Sequence, residues 1–328
     1  MKIKSHNKVT IVMYHFVRDL QNSRYPNIKG LDTALFKEQL NYLQKHYNII
    51  TIEMLINAIH NNETLPAKSV LLTFDDAYID HFTNVFPILF DRKIQGSFYV
   101  PAKAILENRV LDVNKIHFIL ASIDNIQKLI KRIFEKIDFY KEDYNLNSPE
   151  FYFNNLAVES RLDSKEIIFV KRLLQKELPE KLRNIITDTL FEEFVGISEN
   201  EFSKELYMNI DQIKYMVNNG MHIGNHGYDH YWLNSLSEKD QRNEIQKGCE
   251  FLKLVGVDMN NWTMCYPYGA YDKSLISILK ENNCKLALTT KVDIADLQLY
   301  EKFELPRLDT NDIAKDTNAN TDDWYSKA

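Results

Sequence analysis

The apolar positions of the first hundred residues fall into short runs separated by amphipathic stretches. VTIVMY (9–14) is a continuous apolar run rich in β-branched residues and predicts a buried strand. Asp32 then caps a stretch in which Phe36, Leu40 and Leu43 recur at helical spacing. NIITI (48–52) predicts a strand, EMLINAIH (53–60) a helix and SVLLTF (69–74) a strand. A segment carrying Phe82, Phe86 and Leu89 predicts a helix, and QGSFYV (95–100) another strand. Alternation of this kind predicts βα units around a parallel sheet or barrel.

After Pro101 the rhythm changes. Residues 104–205 carry helical periodicity almost throughout, with Ile126, Leu129, Ile130, Ile133 and Ile137 on one face, a second helix after Asp163 and a third between Pro179 and Gly196. This predicts a helical insertion without a site motif. It reads either as a structural cap, through which the chain would form a homo-oligomer, or as a substrate lid. The alternation then resumes. A helix over 209–220 closes at Gly220, MHIG (221–224) is a strand, and SEKD (237–240) opens a helix running to Gly256. WTMCY (262–266), CKLALTT (284–290) and ELPRL (304–308) predict three further strands. The polar tail, 311–328, is expected to fray. The chain thus divides into barrel material at 1–103 and 206–310, the insertion, and the tail.

Composition narrows the partners. A net charge of −6 lacks the basic excess of a nucleic-acid-binding protein, so none is expected. Cys249, Cys265 and Cys284 are odd in number and show no CxxC spacing, which fits reduced thiols rather than a disulfide framework. The first apolar run is too short for a signal peptide and is broken by His15, and no run approaches the roughly 18 apolar residues of a membrane span. These features lead to the expectation of a cytoplasmic protein without a membrane span.

Several polar residues stand at similar points in the βα units. His15 follows the first strand, Asp75 and Asp76 follow SVLLTF, and His226 and His230, in IGNHGYDH, follow MHIG. Tyr266, Pro267, Tyr268 and Gly269 end the strand at 262–266. In a parallel barrel the C-terminal strand ends share one face, which carries the chemistry. A divalent cation held by one aspartate and two imidazoles would neutralise the paired carboxylates, and three N and O ligands describe a catalytic zinc-type site. Adjacent residues of an extended segment point in opposite directions, so one aspartate can bind the metal while its neighbour faces substrate. Taken singly, each motif has a plainer reading: TFDD as a helix cap, HxxxH as unrelated histidines, YPYG as a turn. His6, His46, His60, His81, His117 and His222 read as ordinary surface or core histidines, with His222 the nearest to a ligand position.

The set resembles the polysaccharide deacetylases of carbohydrate esterase family 4 over residues 8–103 and 206–310. The resemblance implies a distorted (β/α)7-type barrel, within the α/β class, and removal of N- or O-acetyl groups from sugars with a divalent metal. TFDD matches the first motif, which implies Asp75 as catalytic base and Asp76 as metal ligand. HGYDH matches the second, with Gly227 where Ser or Thr is usual, and implies ligands His226 and His230. YPYG stands where the third motif forms a wall of the substrate groove. The arginine that usually precedes it is absent, Met264 and Cys265 standing there, and Arg307 is the candidate replacement. No histidine follows His230 to act as acid. MYHFV is similar to the circularly permuted poly-N-acetylglucosamine deacetylases, which implies His15 for that role.

The expectation is a metal-dependent N-deacetylase of an amino sugar, nucleotide sugar or glycan precursor in surface-polysaccharide biosynthesis, using Zn or else Co, Mn, Ni or Fe. The alternatives are hydrolysis of a formyl or ureide C–N bond, an iron oxygenase with the same ligand types, and a catalytically silent glycan-binding protein.

Overall fold

The computed structural model describes residues 7–160 and 163–328, so His6 lies outside the described residues. The chain forms two compact units. One comprises the chain up to Asp19, Gly30–Asn108 and Ser203–Ala328; the other comprises Leu20–Lys29 and Arg109–Phe202.

The first unit is built on a nine-stranded sheet. Its strands are β1 (Lys8–Tyr14), β2 (Asn48–Ile49), β3 (Ser69–Asp75), β4 (Ser97–Val100), β5 (His222–Asn225), β6 (Met264–Cys265), β7 (Ala287–Leu288), β8 (Ala295–Asp296) and β9 (Leu308–Asp309). Parallel pairing runs β1–β3–β4–β5–β6–β7. The extended segment 305–309 then links the two ends: Leu305 bridges Leu288 of β7, and Leu308 pairs with Val12 of β1. The sheet therefore curls back on itself, with helices outside, as a distorted α/β barrel. Every residue of β3 is buried, as expected of a parallel strand covered on both faces. Asp32 caps the helix Thr33–His46 by accepting from the Ala34 N–H, and Phe36, Leu40 and Leu43 are its buried face.

Several predicted strands are shorter than their runs, ELPRL among them, since only Leu308 of it lies in a strand, Leu308–Asp309. NIITI pairs only at Asn48–Ile49, because Thr51 turns the chain into the helix Ile52–Asn61 by accepting from the Met54 N–H. The runs at 262–266 and 284–290 likewise pair over two residues each. The expected frayed tail is instead docked. Gln39 donates to the carbonyls of Thr310 and Ile313, Lys68 donates to those of Tyr325 and Ala328, and Ile313 is buried. Trp324 and Tyr325 pack against the core. Apolar residues at 313, 324 and 325 outweigh the polar composition around them.

The second unit is helical. In its helix Ile126–Tyr144, Leu129, Ile130, Ile133 and Ile137 are buried, and the buried Lys115 pairs with Asp188 and Glu199. It begins at Arg109 rather than at 104 and recruits Leu20–Lys29. The Tyr25 ring packs edge-on against Phe118 and Phe202 at 4.9 and 5.8 Å. Among the described residues, no helix is long and apolar enough to cross a membrane.

Candidate metal centre and active site

Strand β3 ends in Asp75, and the segment 305–309 brings Arg307 alongside it. Arg307 donates from Nη1 to Asp75 Oδ1 at 3.0 Å and from Nη2 to Oδ2 at 2.8 Å, a bidentate pair. Its Nε–H donates to the Thr289 carbonyl at 2.9 Å and Nη1 also reaches the Thr73 hydroxyl at 3.2 Å, so the guanidinium is fixed in its plane. Both residues are buried. Burial alone would raise the Asp75 pKa, but the charge of Arg307, followed by that of His226 and the Arg307 hydrogen bonds, brings it down to about 2. The Cys265 thiol lies 3.5 Å from Asp75 Oδ2.

Asp76 does not follow the alternation of an extended strand. Its φ is +76° and that of Ala77 is +56°, a left-handed bend of two non-glycine residues that redirects the second carboxylate. Asp76 Oδ1 then lies 3.4 Å from His226 Nε2 and 3.3 Å from His230 Nε2, while Oδ2 accepts from the Tyr78 hydroxyl at 2.6 Å. His226 Nδ1 is 2.7 Å from the Cys265 carbonyl. A carbonyl can only accept, so Nδ1 carries the proton and neutral His226 presents a lone pair at Nε2.

These atoms test whether a metal fits. Asp76 Oδ1 is buried without a hydrogen-bond partner, and it faces two imidazole nitrogens, one of them bound to present a lone pair. Converging lone pairs require positive charge. With protons as the only source, the His226 pKa stands well above its ordinary value despite burial, held up by Cys265 and by Asp76. Burial pushes His230 down, and Asp76 stays well below the carboxylate range because its contacts with both histidines outweigh burial. Asp76, His226 and His230 form a buried group of metal-ligating atoms within 4.8 Å of one another. One carboxylate and two imidazoles, with a backbone carbonyl orienting one ring, is a donor set that suits zinc and its neighbours.

Around this centre the other expected residues are distributed unevenly. His15, half-buried just beyond β1, lies within electrostatic reach of both carboxylates and helps to lower the pKa of each. Tyr268, at φ +57°, sets its ring edge against His230 at 4.8 Å and stacks on Trp232 at 4.6 Å. Gly269 follows it, at φ +68°. Tyr266 lies elsewhere: its side chain is fully buried, stacks on Tyr271 and donates to the Phe303 carbonyl at 3.1 Å, so it belongs to the core and not to a groove wall. Pro267 is buried as well. His222, at the opposite end of β5 from His226, bonds the Thr263 hydroxyl at 2.8 Å and stays outside the donor set. His60 bonds the Lys285 carbonyl and His81 that of His15. Tyr78, Cys265 and Trp232 were not among the expected site residues. Of these only Tyr78 carried a local signal, standing two positions after Asp76.

Residues 195–287, the stretch that contains His226, His230 and the YPYG turn, match the family model for polysaccharide deacetylase. The poly-β-1,6-N-acetyl-D-glucosamine N-deacetylases of Escherichia coli strain K12 and of Escherichia coli O157:H7 are each 34% identical over 86 residues. That alignment spans 26% of this chain and only 12% of either relative's length. Among solved structures, the deacetylase PplD of Streptococcus pyogenes in complex with acetate superposes with a TM-score of 0.55 at 19% identity, covering 92% of both chains. IcaB from Ammonifex degensii gives 0.54 at 18% identity, covering 98% of this chain and 95% of that one. Residues 195–287 are thus similar to polysaccharide deacetylases, and the fold is shared with these solved structures.

Proposed function

We propose that the chain is a metal-dependent N-deacetylase that removes acetyl groups from N-acetylglucosamine units of a glycan made for the cell surface. One observation carries the reading: an inward-facing set of Asp76, His226 and His230 beside a second carboxylate, Asp75, clamped in a separate orientation. A divalent cation, zinc foremost, would supply there a Lewis acid that polarises the acetyl carbonyl and lowers the pKa of water toward about 7.

The chain's own groups supply the rest. Asp75 takes the proton of the attacking water. Arg307 fixes the direction of its lone pairs, and because it also depresses the carboxyl pKa to about 2, the proton is held only in passing. His15 donates a proton to the departing amine, a general-acid task that an imidazole can perform. Tyr268 walls the groove, and a backbone N–H beside it donates to the developing oxyanion. Tyr78 holds Asp76 from behind.

The substrate class comes from the Escherichia coli relatives, which are named for a β-1,6-linked N-acetylglucosamine polymer. The test is acetate release by zinc-loaded protein from β-1,6-linked N-acetylglucosamine oligomers, chitin-type oligomers and N-acetylated nucleotide sugars, with Asp75→Asn alongside. Release from the β-1,6 oligomers that disappears in the variant is the expected result. Release from nucleotide sugars alone would move the substrate to a precursor. No release from any pool, with zinc bound, would overturn the deacetylase reading.

A further inference from the structure

The loop 226–230 carries two of the three metal-ligating residues, yet its path is unusual: Gly227 has φ +74° and His230 φ +56°. What holds it is a buried carboxylate on the helix Glu238–Leu254 that the chemistry above does not use. Glu244 is 4% exposed, and its Oε2 accepts from the backbone N–H of Tyr228 at 2.8 Å and of Asp229 at 2.9 Å. We propose that Glu244 is the positioning residue of the metal centre, setting the separation of His226 and His230 through the backbone between them. This inference rests on the metal-centre reading.

The sequence around it is adapted to the contact. Gly248 lies one helical turn beyond Glu244 and on the same face. A Cβ there would stand 2.4 Å from Asn225 Oδ1, so only glycine lets the helix approach this closely. Asn225 Oδ1 in turn accepts from the Gly227 N–H at 2.8 Å. At Gly227 a Cβ would lie 3.3 Å from Glu244 Oε2, at a φ that side chains avoid. Glycine in place of the usual Ser or Thr thus opens the space into which the carboxylate reaches. From the other side, Lys103 donates its backbone N–H to the Tyr228 carbonyl at 2.9 Å and its ammonium to Asp229. Three consecutive loop N–H groups, those of Gly227, Tyr228 and Asp229, therefore end on side-chain acceptors aimed from behind the histidines. Outer partners of this kind set metal affinity as well as the ligands do.

The experiment is zinc affinity, read by competition with a chromogenic chelator, for wild type, Glu244→Ala, Glu244→Gln and Glu244→Asp, with folding followed by circular dichroism. Glu244→Ala is expected to bind zinc about 10- to 100-fold more weakly. Glu244→Gln keeps an oxygen that can accept both N–H groups and is expected within about threefold of wild type. Glu244→Asp, one methylene short of the loop, is expected to be weakened, and it decides the matter if the alanine variant does not fold. Wild-type affinity in Ala or, failing that, in Asp would overturn the inference, as would a Gln variant no better than Ala. A wild type that binds no zinc would instead overturn the metal-centre reading, and this inference with it.

Discussion

Arg307 grips both oxygens of Asp75, at 2.8 and 3.0 Å, from a position 232 residues further along the chain. The guanidinium is also tied to Thr289 and Thr73, so the carboxylate has one available orientation. Lysine cannot form this fork. Arg307→Lys is expected to lower the acetate-release kcat by about 10²-fold, the cost of a misplaced catalytic group, with zinc affinity unchanged. A variant with wild-type kcat would contradict the positioning role. Arg307→Met leaves a buried carboxylate unpaired and is expected to cost about 3–5 kcal/mol in urea denaturation.

The same pair predicts an acid limb of stability. The folded pKa of Asp75 is depressed, from 3.8 to about 2. Its contribution is therefore full above the unfolded value and is lost as the pH falls through about 2, an effect of roughly 2 kcal/mol. The difference in urea midpoint between wild type and Arg307→Met should shrink as the pH is lowered from about 5 to about 2. A constant difference would show that the charge pair does not hold Asp75 ionised.

His81 predicts a second dependence at higher pH. Burial lowers its pKa from 6.5 to about 4, and its Nε2 bonds the His15 carbonyl at 2.9 Å. A histidine kept neutral by the fold stabilises above its unfolded pKa, and this stability is lost as the pH falls through about 4. The size is at most about 3 kcal/mol. Urea midpoints from about pH 7 to about pH 4.5 should fall more steeply in wild type than in His81→Gln; parallel slopes would assign the acid sensitivity elsewhere.

Tyr78 donates to the Asp76 oxygen that faces away from the histidines. Tyr78→Phe removes that bond while keeping the ring that stacks on Phe16 at 3.9 Å. Zinc affinity is expected to fall about 10-fold, with the thermal midpoint little changed. Unchanged affinity would mean that the bond does not tune the carboxylate.

Much of the barrel was legible because parallel strands buried on both faces leave continuous apolar runs, as SVLLTF does, and because polar residues stand out where such runs end. Geometry that depends on backbone bends was not legible. Asp76 and Ala77 adopt positive φ without a glycine to announce it, so the two aspartates separate by a left-handed bend rather than by strand alternation. Tyr266 and Tyr268 flank one proline and look equivalent in the sequence. Yet Tyr266 continues the buried face of β6 and Tyr268 sits in the bend after it. Arg307 could be named as a candidate partner, but its fork onto Asp75 depends on segment 305–309 joining β7 to β1, a contact between distant parts of the chain. The docked tail and the recruitment of Leu20–Lys29 were hidden for the same reason: a few apolar residues in polar surroundings decide them.

The most direct measurement is acetate release from β-1,6-linked N-acetylglucosamine oligomers while metal-stripped protein is titrated with zinc, beside Asp75→Asn and Asp76→Ala. Activity is expected to rise to a plateau at one zinc per chain. Asp75→Asn should bind zinc normally but turn over about 10²- to 10⁴-fold more slowly, and Asp76→Ala should lose zinc binding. Activity that survives metal removal, or Asp75→Asn turning over like wild type, would contradict a metal-dependent reaction with Asp75 as its base.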